Sequence, residues 1–175
     1  MKNLLLVIDF QNDFVTGSLG FPGAEELDGP VAQKIAQYRA SGDDVAFTLD
    51  THGENYLNTQ EGKRLPVAHC LRGTPGWELY GETGQSRREG DLVLEKPAFP
   101  SLELGKLLEE KGYDRVELVG LVSYICVLSN AVMVKAALPE AEISVDAACT
   151  SGPDPELHQK ALDLLETLQI AVTNR

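Results

Sequence analysis

Six short segments of the chain are almost continuously apolar: LLLVIDF (residues 4–10), DVAFTLD (44–50), DLVLEK (91–96), RVELVG (115–120), EISVDAA (142–148) and IAVTN (170–174). Nearly unbroken runs of this length predict strands covered on both faces, as in a parallel sheet, rather than strands with one wet face. The segments between them change period. Residues 24–40 place Val31, Ile35, Ala36 and Tyr38 at helical spacing, and Ser41-Gly42 supplies a C-terminal stop. SLELGKLLEEKG (101–112) predicts a short amphipathic helix, and another runs from about Cys126 to Leu138. PDPELHQKALDLLETL (153–168) predicts a fourth helix, opened by Asp and Pro. Alternation of strand and helix predicts an α/β fold: three layers, α/β/α, around a six-stranded, mostly parallel sheet, in one domain over residues 1–175. Residues 51–90 stand apart. They are rich in Gly, Pro, Thr and His with little periodicity, and a loop of that length in a compact domain is usually functional.

The strand ends carry the chemistry. Sheets of this kind bind ligands beyond the carboxyl ends of their strands. Asp9 ends the first strand, Asp50 the second and Lys96 the third, and the loop at Gly120 leads from the fourth to Cys126. A thiol is a nucleophile as thiolate, which a neighbouring cation and a helix N-terminus favour. Lys96 is placed to supply the charge, and Cys126 to open the helix that runs to Leu138. Asp9 is placed to take the thiol proton and return it to a leaving amine. Backbone N–H groups around Val122 and Cys126 point to where an oxyanion forms. The reaction this arrangement suggests is acyl transfer from an amide to Cys126, followed by hydrolysis. Taken singly, Cys126 reads as a small core hydrophobe in VELVGLVSYICVLSNAVMVKAAL (116–138), Asp9 as a strand-end cap and Lys96 as a surface lysine. Three such residues at one rim favour catalysis.

A second group lies in the irregular region. Asp50 and His52 in LDTH, with His69 in PVAHC, suit a divalent metal with open positions, and compete with a reading as a hydrogen-bonded cluster. Cys70 reads as a further ligand or as buried. Cys70 and Cys149 are taken as structural, and His158 as solvated on its helix. Phe14, Trp77, Phe99 and Tyr124 are candidates for a pocket wall, with core packing as the rival for each.

Composition narrows the partners. The net charge is −12 and the pI near 4.6, with no basic run, which argues against nucleic acid and anionic membrane surfaces. Three cysteines point to a reducing compartment rather than a disulfide framework. The apolar N-terminus is too short for a signal peptide and no segment approaches a membrane span, so the expected location is cytoplasmic. GSLGFPGAEEL (17–27) lacks the glycine spacing of a dinucleotide loop.

At these residues the chain resembles the cysteine hydrolases of the isochorismatase-like superfamily, and within it the nicotinamidase-type amidases. VIDFQNDF resembles the family's opening strand with its catalytic acid/base, here Asp9. LDTH and PVAHCLRGTPGWEL resemble the metal motifs, giving Asp50, His52 and His69 as ligands. LEKPAFPS resembles the strand end bearing the catalytic lysine, here Lys96, and LVGLVSYICV the nucleophile segment, with Cys126 and a cis peptide at Leu121-Val122 that turns an N–H into the oxyanion hole. VDAA (145–148) resembles the ending of the next strand. The resemblance implies a Cys-Asp-Lys triad acting on a small-molecule amide with release of ammonia, nicotinamide to nicotinate first. Carbamoyl or ureido compounds and isochorismate-type hydrolysis are alternatives, and a non-catalytic binding protein is a third. It also implies a divalent metal, zinc before manganese, iron or magnesium, and homo-oligomers, dimeric or tetrameric. Where the family commonly has an aromatic before the Pro of its His-Cys motif, this chain has Leu65; Phe14 remains as a ring-stacking residue, with Tyr124 as a further substrate contact.

Overall fold

The computed structural model describes residues 1–175. One sheet runs in the order β3-β2-β1-β4-β5-β6 and every neighbouring pair is parallel. Its strands are β1 (Asn3–Ile8), β2 (Asp44–Asp50), β3 (Leu92–Lys96), β4 (Arg115–Leu121), β5 (Glu142–Ser151) and β6 (Ala171–Thr173). The helices are α1 (Asn12–Val15), α2 (Asp28–Ala40), α3 (Gln60–Arg64), α4 (Gly81–Gln85), α5 (Leu102–Lys111), α6 (Leu128–Ala137) and α7 (Pro155–Thr167). Residues 51–90 are thus not wholly irregular, since α3 and α4 interrupt them. No helix is long and apolar enough to cross a membrane.

Burial explains the unbroken apolar runs. Leu4, Leu6 and Ile8 of β1 face one core with Leu104 and Leu108 of α5, Ala131 and Val134 of α6, and Leu162 and Leu165 of α7. Leu5 and Val7 face the other, with Val31 and Ile35 of α2. Each leucine so buried stabilises the fold by roughly 1.5–3 kcal/mol. Local chemistry sets the helix starts. Ser101 Oγ accepts the Leu104 N–H at the head of α5, and Asp154 Oδ1 accepts the N–H groups of Glu156 and Leu157 at the head of α7, where Pro155 takes the first position.

Several boundaries differ from the sequence reading, three of them at the carboxyl edge of the sheet. β1 stops at Ile8, because Asp9 adopts φ 44 and turns the chain out of the sheet. β5 continues to Ser151, past a register irregularity opposite Leu118 and Gly120, where the Asp146 carboxylate accepts the Ala148 N–H. Cys126 does not open an α-helix. It lies inside a π-helical turn, Ser123–Val127, and α6 begins only at Leu128.

Strand order reverses between β1 and β4, the switch point at which such sheets leave a crevice. Gly120 permits the close approach there. Its φ is 110, and a Cβ would lie 2.1 Å from the Ile8 carbonyl oxygen. Asp9 and the segment leading to Cys126 therefore leave the sheet side by side.

Candidate active site

Neighbouring strands β2 and β3 end in Asp50 and Lys96, Asp9 follows the last residue of β1, and the parallel register brings the three side chains together. Lys96 is fully buried. Its Nζ lies 2.5 Å from Asp9 Oδ2, 3.4 Å from Asp50 Oδ1 and 3.5 Å from Cys126 Sγ, and donates to the Ala98 carbonyl at 3.1 Å. Thr48 completes the setting of Asp9 by donating its hydroxyl to Oδ1 at 2.6 Å. The ammonium expected from the sequence is thus in contact with both the carboxylate and the sulfur.

Their electrostatics set two effects against each other. Burial pushes the Cys126 thiol well above its ordinary pKa, the Asp9 charge adds to that, and Lys96 opposes without prevailing. Burial thus works against the thiolate that Lys96 and a helix N-terminus were expected to favour. Burial also raises Asp9, against the pull of Lys96, which makes its carboxylate a stronger base. Burial opposes the charge on Lys96, but Asp9, Cys126 and Asp50 outweigh it and keep the ammonium above the usual lysine value. Proton transfer from Sγ to Asp9 therefore has a donor, an acceptor of raised basicity and a fixed cation between them.

Asp50 links this cluster to a second one. Its Oδ2 lies 3.0 Å from His52 Nε2 and 3.3 Å from His69 Nε2, and the three ligand atoms fall within 4.8 Å of one another. His69 donates Nδ1–H to the Val67 carbonyl at 2.8 Å, which leaves Nε2 free for a metal. Two imidazoles and a carboxylate, all buried, fit a divalent ion of the zinc type. Glu61 of α3, which sequence reasoning missed, places Oε1 3.6 Å from both Nε2 atoms as a further donor. Asp50 is itself held by Gln11, whose side-chain amide exchanges two hydrogen bonds with the Asp50 backbone, at 2.9 and 2.8 Å.

Both clusters open onto a cavity of about 230 Å³, whose floor includes Cys126, Asp50, Glu61 and His69 and whose walls are apolar. Phe14, Leu65 and Tyr124 line it as expected, joined by Phe99, and the Phe14 ring packs against His69 with centroids 5.6 Å apart. Trp77 is not in the wall; its indole N–H donates to Thr51 Oγ1 at 2.8 Å. The Leu121-Val122 peptide is cis, and no backbone carbonyl accepts the Val122 N–H.

The remaining candidates also sort. Cys70 and Cys149 are buried free thiols, Cys149 pushed up to about 12 by burial first, then by Asp146. Cys70 sits at φ 45 with its N–H bonded to Asp13 Oδ2 at 2.7 Å, and so acts through its backbone beside His69. His158 is not merely solvated. It is half-buried, with Nδ1 2.9 Å from Ser123 Oγ in the turn that carries Cys126.

Known proteins resemble this chain in sequence and in fold. The model of the isochorismatase domain matches residues 3–175. The nicotinamidase/pyrazinamidase of Mycobacterium tuberculosis is 30% identical over 146 residues, 73% of this chain and 75% of that one. The pyrazinamidase of Pyrococcus horikoshii, solved in complex with zinc, superposes with a TM-score of 0.87 at 25% identity over the whole of both chains. The N-carbamoylsarcosine amidase of Thermoplasma acidophilum superposes with a TM-score of 0.80 at 27% identity, covering 98% of this chain and 95% of that one.

Proposed function

This chain belongs to the isochorismatase family and is a hydrolase of non-peptide carbon–nitrogen bonds, and within that class we propose a cysteine amidase that releases ammonia from a small aromatic carboxamide, nicotinamide first. The observation that carries the proposal is a buried thiol, in contact with Lys96 and facing Asp9, at the floor of an apolar cavity. A flat, neutral ring suits those walls better than a charged or ureido chain would, because little polar surface stands there to pair with one.

The mechanism follows from the contacts. Cys126 Sγ attacks the amide carbonyl as its proton passes to Asp9. Lys96 keeps Asp9 ionised before the transfer and balances the charge that develops on sulfur. The carbonyl oxygen takes up negative charge within reach of the Val122 and Cys126 N–H groups. Asp9 then gives the proton to the departing nitrogen, ammonia leaves, and a thioester remains. Water, deprotonated by Asp9, cleaves the thioester and restores the thiol. Asp50, His52 and His69, with Glu61 beside them, would hold a divalent ion, zinc by their donor set. Such an ion supplies a Lewis-acid contact that orients a ring nitrogen or a water at the cavity floor.

The test is an ammonia-release assay over nicotinamide, pyrazinamide, carbamoyl and ureido compounds, with and without chelator, alongside alkylation of Cys126. The two aromatic carboxamides are expected to be the best substrates, and turnover is expected to vanish in step with labelling of Cys126. Faster turnover of a ureido compound would move the substrate class. Turnover that survives complete labelling of Cys126 would remove the mechanism.

A further inference from the structure

Asn130 is fully buried on α6, one turn beyond the nucleophile. Its Nδ2 donates to the Cys126 carbonyl at 2.8 Å and to the Phe99 carbonyl at 2.9 Å, and its Oδ1 accepts the Ser101 N–H at 3.1 Å. Carbonyls only accept and a backbone N–H only donates, so these partners fix which way the amide faces. Both of its N–H groups are used. No other residue type of that size offers two donors and an acceptor in one plane at the end of a single methylene.

The partners join two separate parts of the site. One is the carbonyl of the nucleophile itself. The other is the segment after β3, residues 97–101, which makes three contributions. Its Ala98 carbonyl accepts from Lys96 Nζ, its Phe99 ring forms part of the cavity wall, and its Ser101 side chain caps α5. Apart from the Lys96–Cys126 contact at 3.5 Å, the reactive sulfur and this wall leave the sheet on different strands. Phe99 itself is 43% exposed, so packing alone holds its loop weakly.

We propose that Asn130 is a positioning residue for the reaction: its side-chain amide locks the Phe99 wall and the Lys96 end of β3 to the turn that presents Cys126, so that substrate ring and sulfur keep one alignment. The inference rests on the amidase reading for its kinetic arm but not for its chemical one. Loss of the amide takes the side-chain partner from the Phe99 carbonyl and from the buried Ser101 N–H, and leaves the Cys126 carbonyl with the Ser129 hydroxyl at 3.3 Å, so nothing ties the loop to the turn and the two relax apart. A displacement of order 1 Å at a reacting centre costs about a hundred-fold in rate.

The experiment compares Asn130→Ala and Asn130→Thr with Phe99→Ala. Steady-state kinetics on nicotinamide run beside the pH profile of Cys126 alkylation by iodoacetamide, resolved from Cys70 and Cys149 by peptide mass spectrometry. Asn130→Ala is expected to lower kcat by about a hundred-fold with a smaller change in KM, and to shift the alkylation profile as Lys96 loses its register with the sulfur. Asn130→Thr, which keeps one donor, is expected to fall between the alanine variant and the wild type on both readouts. Phe99→Ala removes the wall without unhitching the turn, and is expected to raise KM while leaving the alkylation profile in place. If Asn130→Ala lowers thermal stability but leaves kcat and the alkylation profile at wild-type values, the residue is structural and the proposal fails. Should Asn130→Ala not fold, the threonine variant decides by the same two readouts. If nicotinamide is not turned over at all, the substrate reading fails, and the alkylation profiles alone decide the role of Asn130.

Discussion

Two lysines of this chain, Lys34 half-buried and Lys96 fully buried, each stand between two carboxylates, and only one of them makes a reactive site. Lys34 on α2 reaches across to the sheet, 2.9 Å from Glu117 of β4 and 2.5 Å from Asp146 of β5. Lys96 at the end of β3 lies between Asp9 and Asp50. Around Lys34 the carboxylates are saturated. Tyr38 donates to Glu117 at 2.9 Å, while Asn174 and the Ala148 N–H both donate to Asp146 at 3.0 Å. Burial alone would raise Asp146, but Lys34 and Asn174 outweigh it and hold its carboxyl below the ordinary value. Asp9 has the same kind of partner and the opposite shift, because desolvation exceeds what Lys96 and the Thr48 hydroxyl return and the neighbouring Asp50 charge adds to it. A lysine and two carboxylates can therefore fix protons in place or keep one in play. What decides is the balance of desolvation against donors, and whether a thiol and a cavity adjoin.

The sharpest way to break that comparison is to remove the proton acceptor from one cluster and the cation from the other. Asp9→Asn keeps the size of the side chain and an oxygen for the Thr48 hydroxyl. Both it and Cys126→Ala are expected to lower ammonia release by about ten-thousand-fold, the scale seen when a member of a catalytic triad is lost, while thermal unfolding stays cooperative. Lys34→Met is expected to leave kcat within about twofold, since no part of that cluster touches the cavity. Near-normal turnover by Asp9→Asn, or abolished turnover in a folded Lys34→Met, would reverse the assignment of the two clusters.

Stability should move the other way. Lys34→Met strands Glu117 and Asp146, whose side chains are 13% and 2% exposed, and breaking a pair buried to this extent costs about 3 kcal/mol. Denaturant titration at neutral pH measures it. The sign of the pH dependence follows from the direction of the Asp146 shift. Its folded-state pKa lies below the ordinary 3.8, so its contribution is fully present above that value and fades as pH falls through the folded one. The wild type is therefore expected to lose stability steeply on acidification below about pH 4, and Lys34→Met less steeply, because its Asp146 no longer has a lysine to lose. Equal slopes in the two proteins would show that Lys34 is not what holds Asp146 down.

How far each cluster was legible in the sequence differs for the same physical reason. Asp9, Lys96 and Cys126 could be found because continuous apolar runs mark buried parallel strands, and the residue at the end of such a strand projects where ligands bind. The Lys34 cluster gave no such signal, since Glu117 and Asp146 sit within strands and meet α2 only through the fold. Glu61, Asn130 and His158 were missed or misjudged on similar grounds. Each acts on a partner that the packing of separate elements supplies, and helical spacing records which face a residue occupies but not what faces it. The π-helical turn at Ser123–Val127 escaped because apolar periodicity is too coarse to separate one helical register from another. The desolvation of Cys126 escaped because it depends on the depth of burial, which the order of residues along the chain does not convey.

The mildest expected effect concerns the cavity mouth, the feature that the Lys34 cluster lacks altogether. Leu65 lines the cavity and is 37% exposed, at the place where an aromatic was expected from the family resemblance. Leu65→Phe brings a second ring to the wall that Phe14 also lines, and leaves Asp9, Lys96 and Cys126 unchanged. If the cavity holds an aromatic amide, the new ring stabilises ground state and transition state alike. KM for nicotinamide is then expected to fall about three-fold with kcat unchanged, a gain of roughly 0.6 kcal/mol that matches a modest aromatic contact. An aliphatic amide of similar size supplies the control, for which neither constant is expected to move. Parallel improvement on both substrates would mean that the ring merely dries the entrance, and unchanged KM on both would place the substrate deeper than Leu65. Either result would separate the apolar mouth from recognition and leave the Lys96 cluster, and not the walls above it, as the source of selectivity.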